Sequence, residues 1–506
     1  MKYGLLALSL FFPGFLVFCQ FNTEVLLNLQ ESRKTIHSTL YPIGHHGVLL
    51  LSEDSTAREL TWYSTDLEKR SAAFFEEDAL TDLGVFATRD SSSFSWVCHT
   101  SSNWVVQTLN PTTALFSSRF FAQMEPSFIP SVPSGAVRIA DKLFLDGKIR
   151  SKPCLLVLDL LNGRQEILEL PGIKPRNGGR IVSLTADHVT KRVAVLFRTS
   201  NSRKKGALNV VFLSPDELSA PLAMQPIDSD YFLVDGQPVF ADSSHWFVAG
   251  TYALLQGSNK VSGFYFSAWE NGDRQFIRYY AFTDWKDYMN YLPDEQLKRI
   301  ALIRKRRPDV ENYVESNLVF HPVYTRESGY RLLGEVYYEK FDSVEVGDVV
   351  RDSLSLFGVS RIKRKEYRSL GFEYTHVAVL DLDSKGAIVN NYCFPVDLGK
   401  RTRQVTPQLD VYEDETGGTC MKYLRENGEM ILTHLKGHAV ETSRLNGFYG
   451  EGACSDQLVF KNCLHWYGGH YLVYGETRID VSKKPKSVFR NYRPSICLMK
   501  KITGNF

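Results

Sequence analysis

Asp381, Asp383 and Gly386 stand at the first, third and sixth positions of a calcium-binding loop. The other positions argue against one. Lys385 holds the fifth, and Tyr392 the twelfth, where calcium needs a bidentate Glu. The segment is therefore expected to be a hairpin turn. His45-His46-Gly47 and the pair His434 and His438 invite a metal reading. The second pair has helical spacing, yet Gly437 and the alternation around it predict strands. His376, between Thr375 and Val377, is expected to be a structural histidine in a strand. No G-x-S-x-G elbow, no H-E-x-x-H and no C-x-x-C pair occurs. The glycine pairs at Asn177-Gly178-Gly179 and Thr416-Gly417-Gly418 lack the strand-to-helix setting that phosphate binding needs. The residues thus point to no reaction, and neither metal nor cofactor is expected.

Two basic runs are the most concentrated charge. Arg304-Lys305-Arg306-Arg307 closes a segment of helical periodicity, in which Trp285, Tyr288, Met289 and Leu292 precede Leu297, Ile300 and Ile303. Arg361, Lys363, Arg364 and Lys365 form the second run. A solvated helix end, its cations favouring the C-terminal dipole, is the plain reading of the first. A lobe that docks on an acidic protein or a phosphate-bearing surface is the functional one. Trp285, Tyr288 and Tyr291 beside it are residue types favoured at interface hot spots. The main protein-partner contact is therefore expected on Trp285, Tyr288, Arg304, Lys305, Arg306, Arg307, Arg361, Lys363, Arg364 and Lys365. The formal charge of the whole chain is only +2, which gives no global field for nucleic acid.

The elements that would position these residues are strands. Hairpin turns at Asn110-Pro111, Asn162-Gly163, Pro215-Asp216 and Asn271-Gly272 recur every 52 to 56 residues. Leu155–Leu160 and Glu166–Leu170 flank the second of them as alternating apolar runs. A period of about 50 residues with several strands each is the sequence signature of a β-propeller blade. Six blades can be placed between Val48 and Phe394, and Thr419–Phe506 holds material for one or two more. The expected fold is therefore all-β, a propeller of seven or eight blades with a short helical insert. Phe21–Leu29 is apolar and strand-like and is expected to supply the missing strand of the last blade. The period doubles between Asn271 and Ser384, which predicts two inserts, at about 283–316 and 341–370. Thr283 or Asp284 is expected to cap the start of the helical insert, Pro293 to separate two short helices and Pro308 to end the second.

The N-terminus has the pattern of an export signal over residues 1–19. Lys2 precedes an apolar run, and Val17 and Cys19 stand before Gln20 as a cleavage site. The run is short for a membrane span, and no later stretch is long and apolar enough. A retained anchor, or a lipid-bearing Cys19, are the other readings. Cys98, Cys154, Cys393 and Cys497 sit in strand-like runs and are expected to be buried free thiols. Cys454 and Cys463 could pair in an oxidising compartment.

Gly371–Asp381, with Asn390-Asn391-Tyr392 after the turn, resembles hairpins of exported β-rich proteins of the Bacteroidota, as does the signal segment before Gln20. Within that group the chain is similar in size and layout to the Plug proteins of the type IX secretion translocon. The resemblance implies a periplasmic or outer-membrane-associated protein, 20–506 forming one propeller domain, that closes a very large protein-secretion pore. No site residue is carried over from it. The expected function is a non-enzymatic, protein-binding component of an envelope assembly. A propeller-type hydrolase or lyase, or a carbohydrate-binding module, is the alternative. Carboxylates, His and Arg converging in a central funnel would favour the enzyme.

Overall fold

A computed structural model describes residues 21–504, with interruptions of which 30–36, 200–207, 351–360, 446–457 and 478–496 are the longest. In the first and last strands and the far end of the sixth sheet it describes the backbone alone. The expected signal segment, Cys454, and the side chains of Cys463 and Cys497 lie outside the described residues.

Eight antiparallel sheets follow one another along the chain. The first comprises His37–Pro42, Val48–Glu53, Arg58–Tyr63 and Lys69–Phe75, each paired with the next. The second spans Thr81–Ala122, the third Phe128–Glu169, the fourth Arg180–Ile227 and the fifth Phe232–Ala281. Asn317–Pro395 form the sixth, Asp410–Leu445 the seventh, and Leu458–Gly504 the eighth. Innermost strands lie side by side: Thr81–Ala87 by Ala136–Ile139, these by Arg180–Asp187, and these by Phe232–Phe240. The architecture is a β-propeller.

Local sequence explains the hairpins. Asn271 and Gly272 both adopt positive φ, at 51° and 89°. That is the two-residue turn whose twist matches the strands Gly263–Glu270 and Asp273–Ala281 on either side. Asp383 makes the turn before Ile388: its Oδ1 accepts the backbone N–H groups of Lys385 at 2.9 Å and Ala387 at 2.7 Å. The carboxylate of the would-be calcium loop is thus engaged by backbone, and the segment is the hairpin turn expected.

The sheets pack face to face through apolar seams. Leu49, Leu60, Trp62 and Phe75 meet Phe94, Trp96 and Cys98 between the first and second sheets. Similar clusters join each pair up to the seventh. The central strands are buried on both faces, which is why they read as continuous apolar runs. Cys98, Cys154 and Cys420 are buried and Cys393 is half-buried, all four as thiols outside any disulfide.

The ring closes in two ways. Phe21–Leu29 pairs antiparallel with Cys497–Gly504 as the outer strand of the eighth sheet, as expected. Leu40, Val48, Leu50 and Tyr63 of the first sheet pack on Trp466 and Leu472 of the eighth. The Trp466 indole N–H donates to Gly47 O at 2.6 Å across 419 residues of chain.

The helical insert differs from its expectation at its cap alone. Phe282–Asp284 and Tyr288–Tyr291 are single helical turns, and the one α-helix among the described residues, α1, is Asp294–Arg306. Pro293 stands at the N-cap of α1 with φ −62°, so it separates the short helical turn Tyr288–Tyr291 from α1, as expected. Thr283 does not cap it; its hydroxyl points to Asp284 Oδ1 at 3.3 Å.

Candidate docking site

The region between the fifth and sixth sheets separates the expected contact residues into two groups. Trp285 is 3% exposed and Tyr288 is fully buried, so neither can present a contact surface. Both belong to the seam between these sheets, with Phe264, Phe282, Leu332 and Val336. Tyr288 stacks on Phe282 at 4.3 Å and stands edge-on over His376 at 4.7 Å. This corrects the expectation for the two aromatics: their helical spacing marks the face that α1 and its lead-in turn toward the core. Tyr291 stays half-buried, 5.5 Å from the His376 ring.

The basic helix end is partly committed. Arg304 Nε donates to Tyr313 O at 2.8 Å, and Arg304 is half-buried. Lys305, Arg306 and Arg307 are exposed. Arg299, one turn earlier, pairs with Glu315 at 2.7 Å, which Lys260 also approaches at 3.1 Å. Glu315 therefore ties α1 to the propeller and leaves the last turn to solvent.

The second basic run lies on a projecting ribbon. The strands Gly329–Val350 and Arg361–Asp383 begin as the middle strands of the sixth sheet. Their flanking strands end early, Asn317–Phe320 at Tyr337 and Ile388–Pro395 at His376. Beyond Glu339 and Phe372 the two strands continue paired with each other as far as Val350 and Arg361. Eleven residues on each strand, at about 3.3 Å each, carry this ribbon roughly 35 Å out. Its base is tied by reciprocal backbone bonds between Phe372 and Thr402, at 2.8 and 2.9 Å. Gly371 beside it has φ +105°, and a Cβ there would lie 2.6 Å from Thr402 O, so only glycine fits.

Register gives the basic run partners. Lys363 stands opposite Asp348, Lys365 opposite Glu345, and Arg368 opposite Asp342. Opposite charges in register stabilise a strand pair and blunt its edges against indiscriminate pairing. Arg361 stands opposite Val350 and Arg364 falls at the bulge between Glu345 and Asp348, so two of the run's four basic positions, Lys363 and Lys365, have an acidic residue in register. The feature without a structural explanation is apolar: near the ribbon's base Phe341 is 52% exposed, Leu370 41% and Tyr367 71%. Sequence reasoning missed all three, because aromatic residues in a strand are ordinarily expected to be covered.

Buried polar groups elsewhere serve the fold. Arg331 is fully buried and donates from Nε and Nη2 to the two carboxylate oxygens of Asp381, both at 2.6 Å. Glu335 accepts the backbone N–H groups of Gln408 and Leu409 at 3.0 Å and lies 2.5 Å from His321 Nε2, fastening the link to the seventh sheet. Lys422 has a fully buried side chain, with Nζ 3.0 Å from Asp410 and 4.4 Å above the Tyr471 ring. His465 stacks on Tyr412 at 3.7 Å, and its backbone N–H also reaches Asp410. Arg331 and Asp381 pair within the sixth sheet, Glu335 reaches toward the seventh, and no nucleophile–base pair is assembled among these groups. Among the described residues, no three of His, Cys, Asp and Glu converge as a metal site would require, and no helix is long and apolar enough to cross a membrane.

His376 shows what burial does to a titrating group here. Desolvation under Tyr288 and Tyr291 lowers its pKa to about 3. The folded value lies below the unfolded one, so its stabilising contribution is full above about pH 6.5 and is lost as pH falls toward 3. Asp146 works in the opposite direction, its pKa raised to about 7 by burial. The test is therefore a difference. The stability advantage of the wild type over His376→Gln should shrink below pH 6 by up to about 1.4 kcal/mol per pH unit, read from urea midpoints. A constant difference from pH 7 to pH 4.5 would refute a neutral buried His376.

No family model matches the chain, and no curated protein matches it. Solved structures similar to it are propellers of low identity. The periplasmic gluconolactonase of Pseudomonas aeruginosa is 10% identical, with a TM-score of 0.41 over 81% of this chain and 95% of its own. A quinohemoprotein alcohol dehydrogenase of Pseudomonas putida is 9% identical, with a TM-score of 0.44 over 95% and 76%. A putative 6-phosphogluconolactonase of Bacteroides uniformis is 7% identical, with a TM-score of 0.39 over 79% and 92%.

Proposed function

We propose that this protein is a non-enzymatic β-propeller scaffold that holds a protein partner with its projecting ribbon. One observation carries the reading: the exposure of Phe341, Tyr367 and Leu370 at the base of a ribbon that leaves its sheet. A two-stranded ribbon alone is marginally stable in water, and clustered exposed apolar side chains mark contact surfaces. A propeller gains no seam from such an arm, so a partner is what would stabilise it. Lys305, Arg306 and Arg307 supply a second, salt-sensitive element in the same insert region. The export-like start and the resemblance to Bacteroidota envelope proteins support placing that partner in a periplasmic or outer-membrane assembly. Closure of a type IX secretion pore is the specific form of the proposal.

The test is affinity purification from the native envelope with residues 341–370, which include Phe341, Tyr367 and Leu370, replaced by a short glycine-rich turn. The sheet below Tyr338 and Glu373 keeps all its pairing, so the variant should melt like the wild type and lose its partner. A folded, ribbon-less protein that retains every partner would refute the proposal.

A further inference from the structure

A cleft of about 680 Å³ opens on the flank of the fifth sheet, walled by Tyr231, Tyr252, Tyr279 and Tyr280 with Arg278 and Asp284. Tyr279 and Tyr280 come from the outermost strand Asp273–Ala281, Tyr252 from the end of His245–Ala253, and Asp284 from the turn that follows. The Tyr280 hydroxyl donates to Gly386 O, which closes the cleft against the sixth sheet. Tyr279 is oriented by Ser229, its hydroxyl 2.8 Å from Ser229 Oγ.

Three features narrow the ligand. The rings of Tyr231, Tyr252 and Tyr279 pack on one another with centroids 4.7 to 5.2 Å apart. A cation cage needs its rings parted to admit the cation between them, so these rings offer an outer face and no cage. Tyr231 is 37% exposed and presents that face. The two charged groups at the mouth, Arg278 and Asp284, are exposed and of opposite sign, so the cleft selects neither an anion nor a cation. Both have capacity to spare. The Arg278 guanidinium lies 4.7 Å over the Phe276 ring and donates no hydrogen bond within the described residues. Asp284 accepts only the long bond from Thr283, at 3.3 Å.

We infer that this cleft binds a neutral oligosaccharide. An aromatic platform takes the apolar C–H face of a pyranose, and tyrosine adds a polar tip. A carboxylate that accepts and a guanidinium that donates suit the vicinal hydroxyls at the ring's edge. The ligand is a sugar chain lying across an open trough, and no bond is made or broken.

The experiment is calorimetric titration of the mature protein with maltohexaose, cellohexaose, xylohexaose and chitohexaose. At least one should bind. Tyr231→Ala should weaken it about tenfold, the size of an aromatic contact, and Asp284→Asn should weaken it without disturbing the fold. The ribbon-less protein should bind it as the wild type does, which separates this inference from the docking proposal. Absence of binding by all four sugars, or an affinity unchanged in both point variants, would overturn it. So would selection of a peptide at this cleft in their place.

Discussion

Asp381→Asn is expected to destabilise the protein by about 3–5 kcal/mol, the cost of leaving a buried charge without its partner. Arg331 is fully buried, and its two bonds to Asp381 are the only ones that balance its charge closely; Arg326 lies 3.6 Å away on the other side and adds a second cation. Removal of the carboxylate therefore leaves the fully buried Arg331 cation facing a neutral amide inside the sixth sheet. The Arg331 Nη1 atom already has no hydrogen-bond partner, so the site has no reserve acceptor. Arg331→Met combined with Asp381→Leu should recover most of the loss, because replacing both members avoids the unpaired charge. Urea unfolding of the three proteins decides it. A single variant within 1 kcal/mol of the wild type would show that the pair contributes little to the sheet.

Deletion of residues 21–29 is expected to cost a comparable amount, about 3–5 kcal/mol, through the eighth sheet. Eight backbone positions from Phe21 to Leu29 have register partners between Cys497 and Gly504. Each net backbone hydrogen bond contributes about 1 kcal/mol, offset in part by the entropy of ordering the strand. The deletion also exposes the Cys497–Gly504 strand as a free edge, which invites association with other chains. Thermal unfolding should begin earlier, with aggregation. The seam of Leu40, Val48 and Leu50 with Trp466 and Leu472 would remain, so the ring should loosen at one sheet before it opens. A truncated protein with an unchanged melting temperature would show that the strand adds nothing to closure.

The sequence made the middle strands legible because burial on both faces leaves continuous apolar runs. Phe94–His99 and Leu208–Leu213 are examples, each almost wholly buried. The innermost strands escaped notice. Thr81–Ala87 and Phe232–Phe240 are only half-buried and contain Gly84, or Gly236 and Pro238. Their pattern is that of an edge facing a channel, and Gly and Pro break what alternation there is. In the fourth sheet the outer strand lies at Gln225–Ile227, where its partner Leu208–Val210 sets the register.

The candidate site was legible in position and not in character. The broken period located both inserts. It could not show that Trp285 and Tyr288 close a seam, since helical spacing of aromatics describes a core face and a contact face equally. Nor could it show that 341–370 prolongs two strands of the sheet. That pairing places Asp342, Glu345 and Asp348 opposite Arg368, Lys365 and Lys363, a match that depends on register and on the bulges at Lys340/Phe341 and Glu345/Asp348. The surface proposed to hold a partner is therefore placed on the exposed Phe341, Tyr367 and Leu370.

Tyr367 provides the most direct test of that account. A photo-cross-linking residue placed there, in the protein expressed in its native envelope, should yield one dominant adduct with a partner protein. The same probe at Val189, equally exposed on the fourth sheet at 74%, should yield none. Equal labelling from both positions, or labelling from Val189 alone, would contradict a partner held by the ribbon.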